Sequence, residues 1–320
     1  MRVLSLFDGI SCGQVALERA NIPVEVYYAS EIDKYAIQIT QKNYPNTIQL
    51  GDINDIDFTQ FIGKIDLIMG GSPGQDLSIA GKRKGLEGER SGLFYKFVEA
   101  VNTIKPKYFL LENNYGMPPE AYEEISRLMG CYPILINSAL VSAQTRKRYY
   151  WTNIGQMQYN LFGFPTVAIP QPENKGILLK DVLESGYAPD DKSRCIQSSI
   201  GRTTEREYFK KNQGQLVAEP LQIGHISNTN AQANRVYSVQ NKSVTLKANG
   251  GGGGAKTGLY KIDLPDGEYL IRKLTPLECE RLQTLPDNYT EGVSNTQRYK
   301  AIGNGWTVDV IAHIFSFIEM

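Results

Sequence analysis

Apolar and polar positions alternate along the first ~150 residues in two rhythms. Short β-rich runs, RVLSLF (2–7), VEVYYAS (24–30), DLIMGG (66–71) and YFLLEN (108–113), are separated by stretches of helical spacing. Those stretches lie at about Gly13 to Ala20, Ala36 to Asn43 and Leu93 to Thr103. A further helix near Glu120 to Met129 precedes ILINSAL (134–140) and RYYWTNI (148–154), which predict later strands of the same sheet. Regular strand-helix alternation predicts an α/β fold with a doubly wound, mostly parallel sheet, whose ligands gather at the carboxyl ends of the strands.

From about Gly155 to Leu270 the texture changes to short segments rich in Asn, Gln, Ser and Thr, with a glycine run at Gly250 to Gly254 read as a mobile loop. Spaced apolar residues, Tyr208, Phe209, Leu216, Val236, Tyr237, Val244, Leu246 and Tyr260, predict β hairpins and hence a smaller, irregular β-rich second domain. Helical texture returns in LTPLECERLQTLP, where Thr275 can cap, Pro276 suits the first turn and Glu278 completes a capping box. In TVDVIAHIFSFI, Val308, Ile311, Ala312, Phe315 and Ile318 share one helical face that should pack on the first domain. The expected division is therefore 1–154 plus 272–320 against 155–271.

At 320 residues with 41% hydrophobic and 21% charged, the chain is of globular composition, which argues against wholesale disorder or a coiled coil. Lys plus Arg equals Asp plus Glu at 34 each, so net charge leaves a local basic groove open. Four scattered cysteines and two histidines, without CxxC spacing, predict neither a metal site nor a disulfide framework. No apolar run approaches the ~20 residues of a spanning helix. The expectation is a cytoplasmic protein with reduced thiols, monomeric and without a membrane partner.

Candidate chemistry lies at the predicted strand ends. Phe7, Asp8, Gly9, Ile10 and Gly13 form a glycine-bearing turn after the first strand, which is not the GxGxxG of a dinucleotide site. Glu31 and Ile32 end the second, with an acid suited to ribose hydroxyls, and Asp52 and Ile53 follow with an acid suited to an adenine amino group. Together they suggest an adenosine-type ligand. GGSPGQDLS (70–78) and Glu112-Asn113-Asn114 end two more strands, and Gln144, Arg146 and Arg148 recur at period two, one face offering an amide and two guanidiniums to an oxygen-rich substrate.

In this order, LFDGISCG, ASEID, GDI, GGSPGQDLSIAGKRKGL, LLENN, QTRKRYYWTNI, RKLTPLECERLQTLP and AIGNGWTVDVI resemble the motif series of DNA cytosine-5 methyltransferases. The resemblance spans the chain apart from about 155 to 270, which in that family is the target-recognition domain. The GGSP, DLS and KGL segments and RKRYYW are most similar to phage and bacterial members resembling the mammalian de novo enzymes. It implies an S-adenosylmethionine cofactor, with S-adenosylhomocysteine as product, and duplex DNA as partner. Phe7 would lie near the sulfonium, Glu31 on the ribose and Asp52 and Ile53 on the adenine. Pro73, Leu93, Asn304, Gly305 and Trp306 would line or close that pocket. Family chemistry adds a thiolate to C6 of a flipped cytosine while an acid, here Glu112, serves N3, and Arg146 and Arg148 position the base.

One departure bears on the chemistry. The family's nucleophilic cysteine follows the proline of GGSPC, and here that position is Gly74. No other cysteine stands out as a substitute, because Cys12 falls in the cofactor loop, Cys131 precedes a strand, Cys195 lies in the variable region and Cys279 is inside a helix. Gly74 fits either a disabled form of an active enzyme, which the retention of Glu112, Arg146 and Arg148 favours, or a natural variant that binds DNA without methylating it. Asn114 stands where the family usually has valine, a local packing change. For DNA, Lys82, Arg83 and Lys84 are candidates for phosphates and Gln75 and Ser78 for the gap left by the flipped base. Arg202, Arg206, Lys210, Lys211, Gln232, Asn234 and Arg235 are candidates in the recognition region.

Overall fold

A computed structural model describes residues 1–71, 92–220, 235–236 and 269–319. The chain begins with β1 (Arg2–Leu6), α1 (Cys12–Arg19), β2 (Val26–Ser30), α2 (Lys34–Asn43), β3 (Ile48–Gln49) and β4 (Leu67–Gly71). It continues with α3 (Gly92–Ile104), β5 (Tyr108–Asn114), α4 (Pro119–Met129), β6 (Ile134–Asn137) and β7 (Lys147–Thr152). These strands form one seven-stranded sheet in the order β3-β2-β1-β4-β5-β7-β6. Pairing is parallel from β3 to β5 and antiparallel on both sides of β7.

Burial on both faces explains the unbroken apolar runs of the central strands. Val3, Leu4 and Leu6 of β1 and Leu67, Ile68 and Met69 of β4 are fully enclosed. Connections run outward from β1 to β2 and β3, then jump back across β1 to β4. That reversal is a switch point, which opens a crevice beyond the carboxyl ends of β1 and β4. Because β7 runs antiparallel to β5, its start lies at the same rim as the end of β5, with Arg148 opposite Asn114.

Local chemistry sets the boundaries. The Asp33 carboxylate caps α2 by accepting from Tyr35 N and Ala36 N, α4 opens with Pro119 and closes on Gly130 at φ 71, and Asn137 Oδ1 ends β6 by accepting Ala139 N. The ILINSAL run therefore stays a strand only as far as Asn137.

The rest comprises β8 (Met157–Tyr159), β9 (Pro165–Val167), α5 (Glu205–Lys211), β10 (Leu216–Pro220), β11 (Arg235–Val236), β12 (Tyr269–Lys273), α6 (Pro276–Leu282), α7 (Asn295–Asn304) and α8 (Val308–Phe315). β8 and β9 form a hairpin, and β10, β12 and β11 form a small antiparallel sheet. Tyr208 and Phe209, expected in a hairpin, lie instead on α5, because Thr204 and Glu207 form a capping box that starts a helix. The expected box of Thr275 and Glu278 is present at α6, with Pro276 in its first turn. On α8, Val308, Val310, Ile311, Ile314 and Phe315 are completely buried against α1 and the sheet. Each such side chain stabilises the fold by about 1.5–3 kcal/mol.

Val167 and Ile169 join the main core, whereas Leu179, Val182, Ile196, Ile200 and Val217 form a third cluster with Leu274, Cys279, Leu282 and Ile302. The region beyond Gly155 is thus stitched to the sheet lobe by its own apolar residues. Gly250 to Gly254, Tyr237, Val244, Leu246 and Tyr260 lie outside the described residues. Among the described residues no helix is long and apolar enough to cross a membrane, and no group of His, Cys, Asp and Glu has the makings of a metal site.

Candidate active site

Beyond β1 the backbone enters the left-handed region three times in five residues, at Phe7 (φ 58), Gly9 (φ 61) and Ser11 (φ 57). Only Gly9 takes that conformation without strain, so two strained residues mark the loop as over-determined by its surroundings. Those surroundings are hydrogen bonds. The Asp8 carboxylate accepts from the Ser11 hydroxyl and, at 2.7 Å, from Tyr27. Burial pushes the Asp8 carboxyl above the usual carboxylate range, and the hydroxyls of Ser11, Ser5 and Tyr27 pull it back.

At the end of β2, Glu31 braces the same loop. Its Oε2 accepts Gly9 N and its Oε1 accepts Ile32 N and Asp33 N, each at 2.8 Å. A carboxylate has about four lone-pair sites, so these three bonds leave room for a hydroxyl donor. Beside it Ile32 is 74% exposed, an apolar surface at the crevice. Asp52 Oδ1 holds Asn54 through its backbone N and its side-chain Nδ2, both at 2.9 Å. Ile53 is buried in the second apolar cluster, on which Phe7 and Leu93 also pack. Phe7, Ile53 and Leu93 therefore share one apolar cluster behind the β1 and β2 strand ends.

Two others serve the scaffold. Ile10 is fully buried and its carbonyl accepts the Tyr289 hydroxyl at 2.7 Å. A Cβ on Gly13 would stand 2.3 Å from Met69 Cε, so this glycine allows α1 to approach β4.

A second constellation lies at the β4, β5 and β7 rim. Glu112 faces Tyr150 across the β5–β7 pair, which puts Arg148, two residues away, on the same sheet face. Arg148 Nε approaches Glu112 Oε1 to 2.7 Å, an ionic contact without hydrogen-bond alignment. Burial opposes the Arg148 charge and the Glu112 carboxylate supports it, with the balance above the ordinary value. A Cβ on Gly71 would stand 2.9 Å from both Glu112 Oε2 and Trp306 Nε1, so the missing side chain lets carboxylate and indole meet at the end of β4.

Arg146 is 5% exposed and its guanidinium is committed to main-chain carbonyls: Nη1 donates to Ile196 at 2.9 Å and Gly303 at 3.5 Å, and Nη2 to Gly305 at 3.1 Å. Burial and the neighbouring Arg148 push its charge toward loss. Gln144, fully buried, accepts Ile196 N at 2.8 Å and donates to Leu282 O at 3.1 Å. Of the period-two trio, Arg148 is the member paired with Glu112, and the other two tie the chain at Ile196 to α6 and α7. Asn304 is exposed and Gly305 buried, and a Cβ on Gly305 would stand 3.1 Å from Cys12 Sγ.

The variable region supplies an unexpected neighbour. Cys195 Sγ lies 3.6 Å from Arg146 Nη1 and 4.0 Å from Arg148 Nη2. Sequence reasoning missed this because 47 residues separate Cys195 from Arg148; the parallel bridge from Gln144 to Ser193 brings them together. Arg202 is exposed and lines a cavity of about 140 Å³ with Cys195, Gln197 and Gln213. Pro73, Gly74, Gln75, Ser78, Lys82, Arg83, Lys84, Gln232 and Asn234 lie outside the described residues, and Arg235 is described only as backbone in β11.

A mostly parallel seven-stranded sheet, flanked by helices and accompanied by small antiparallel sheets, is the Rossmann-like fold of S-adenosylmethionine-dependent methyltransferases. Residues 1–319 match the C-5 cytosine-specific DNA methylase family, and the chain belongs to that family. It is 30% identical over 326 residues to the type II methyltransferase M.HhaI of Haemophilus parahaemolyticus, covering 98% of this chain and 93% of that one. The orphan methyltransferase M.SPRI of Bacillus phage SPR is 26% identical, with 98% and 96% covered. Among solved structures, the Entamoeba histolytica methyltransferase EhMeth superposes with a TM-score of 0.65 at 16% identity, covering 99% of this chain and 97% of that one. The S. pombe Dnmt2 methyltransferase gives 0.61 at 18% identity, with the same coverage.

Proposed function

We propose that the chain is built to methylate C5 of a flipped cytosine in duplex DNA, and that Gly74 disables it at the nucleophile position. The observation that carries this reading is the Glu112–Arg148 contact at the rim of the switch-point sheet. A buried carboxyl group held by a guanidinium is a fixed partner for a ring nitrogen. S-adenosylmethionine fits the crevice: Glu31 keeps hydroxyl-accepting capacity, Ile32 offers an exposed apolar surface, and Cβ positions on Gly9 and Gly51 would meet nothing within 4 Å. When bound, it supplies an electrophilic methyl group on a sulfonium.

Phe7 and Leu93 would line the crevice, Glu31 would orient the ribose and Asp52 the adenine, with Trp306 closing over Gly71. Glu112 would hold a proton at cytosine N3, and Arg148 would hold Glu112. Extrusion of the base is required because C5 and C6 are stacked in a duplex. Gly74 has no side chain to add to C6, so this form should bind cofactor and DNA without turnover. The subtype resembling the mammalian de novo enzymes rests on the GGSP, DLS, KGL and RKRYYW segments. Residues 155–271 would serve as the recognition domain, and a monomer acting on duplex DNA in the cytoplasm of a bacterial or phage-infected cell fits these assignments.

Two binding results test the reading apart from turnover. S-adenosylhomocysteine should bind the protein as it stands, measured by calorimetry, and Glu31→Ala should weaken that binding by about tenfold or more, as expected for lost charged hydrogen bonds. By gel shift, the Gly74 protein should hold its DNA site at least as tightly as Gly74→Cys. Much weaker binding by the Gly74 protein would remove the argument that only the nucleophile is missing.

A further inference from the structure

Five of the thirteen exposed large apolar side chains among the described residues belong to the β8–β9 hairpin. Tyr159, Leu161 and Phe162 are 77%, 101% and 82% exposed, and Met157 and Phe164 47% and 44%. The turn that carries them is tightly bonded. Asn160 Oδ1 accepts Phe162 N at 2.9 Å and Phe164 N at 3.0 Å, Gly163 turns at φ 79, and Phe164 stacks on Tyr132 with ring centroids 4.6 Å apart. A fixed turn therefore holds these side chains out into solvent, where a patch of more than a few hundred Å² marks an interaction surface.

One edge of the hairpin is open. Asn160 N donates to Phe164 O and Ala168 N to Gln156 O, and Gln158 lies opposite Thr166. By the alternation of antiparallel ladders, the main-chain groups of Met157 and Tyr159 point away from β9. Among the described residues nothing pairs with them, whereas the β9 edge is taken by Tyr132, whose N–H donates to Pro165 O at 2.7 Å. Open edges are normally guarded by charge, yet residues 149–172 carry no charged side chain.

We propose that this hairpin is the contact through which two copies of the chain pair about a two-fold axis, β8 lying antiparallel to β8 with Gln158 at the axis. The surface complements itself. Each outward N–H of Met157 and Tyr159 meets an outward C=O of the other copy, apolar side chains meet apolar side chains, and no like charges are brought together. The chain's net charge of zero adds no repulsion at longer range. At about 150–250 Å² per large side chain, the five exposed portions amount to roughly 500–900 Å² per copy, against the ~800 Å² that each partner gives to a stable interface. The hairpin follows the end of β7, whose start lies beside Glu112, so it sits at the rim opposite the Glu112–Arg148 pair. Each copy keeps a whole site of its own, one chain remains the acting unit, and the pairing does not depend on the function proposed above.

Sedimentation velocity on the full chain tests this. At about 100 µM, above the micromolar dissociation constants of the weaker interfaces of such size, the protein should run at twice the mass of one chain. Leu161→Asp and Phe162→Asp each put an unpaired charge into the contact and should weaken pairing by at least ~10-fold, while the melting temperature stays unchanged because both positions are exposed. Directly opposed residues on antiparallel edges stand about 4.5–5.5 Å apart, within disulfide reach. Gln158→Cys should therefore cross-link two chains under mild oxidation, and Leu161→Asp added to it should prevent the cross-link. A chain that stays single at this concentration leaves the face to a partner of another kind and overturns the proposal. So does a dimer that neither aspartate weakens, and a dimer that Gln158→Cys does not cross-link refutes the pairing of the two edges.

Discussion

At the scale of single residues, the site depends on groups that can be altered one at a time. In a Gly74→Cys background, Glu112→Gln should lower methyl transfer by about 10²–10⁴-fold, the usual contribution of a positioned acid, measured with labelled cofactor under single turnover. Gly303 is a different kind of position. A Cβ there would fall 2.2–2.3 Å from the main chain of Gln197 and Ser198, where nothing flexible can yield. Gly303→Ala should therefore destabilise the protein by about 1–3 kcal/mol in urea unfolding. The sequence carried Glu112 and Arg148 as a strand-end acid and a period-two arginine, because strand periodicity fixes which side chains share a face. It did not carry Cys195, whose meaning comes from a chain crossing in a region without periodicity.

Apolar clusters join the elements, and two ion pairs with a fully buried carboxylate add to them. Glu278, fully buried on α6, receives both terminal nitrogens of Arg272 from β12 at 2.8 and 2.7 Å and also the Glu184 and Thr275 backbone N–H groups. Removing it takes four hydrogen bonds from the junction between the small sheet and α6. Glu278→Ala should cost about 3–5 kcal/mol, read from chemical denaturation. A surface pair behaves differently. Asp66 at the start of β4 takes two bonds from the Arg2 guanidinium, which holds its carboxyl below the usual range. A depressed folded-state value means the stabilisation is present above the unfolded value of about 4 and is lost as pH falls further. Asp66→Asn should therefore cost no more than ~1 kcal/mol near neutral pH, given its exposure, and the difference should vanish in acid. The capping box at Thr275 was legible because it needs only four adjacent residues. The box at Thr204 is equally local, but the aromatic spacing of Tyr208 and Phe209 points to a hairpin where the capped turn starts α5.

For the whole molecule, the order of strands matters most. Strand-helix alternation predicted the doubly wound sheet, and the switch point between β1 and β4 places the Phe7–Ser11 turn, Glu31 and Gly71 around one crevice. The antiparallel β7 was invisible to periodicity, since direction is set by connection length and edge placement, yet it alone brings Arg148 back to the rim beside Glu112. How residues 177–217 pack was legible only as a change in texture. Their apolar residues are dispersed, and they find partners in α6 and α7 that lie far along the chain.

On the proposed function, the protein lacks only a nucleophile at Gly74. Transfer of labelled methyl from S-adenosylmethionine to mixed-sequence duplex DNA, measured for this protein and for Gly74→Cys side by side, tests it most directly. Methylation by Gly74→Cys alone is the predicted result. Methylation by the protein as it stands would contradict it, and so would failure of both forms to methylate while both bind DNA.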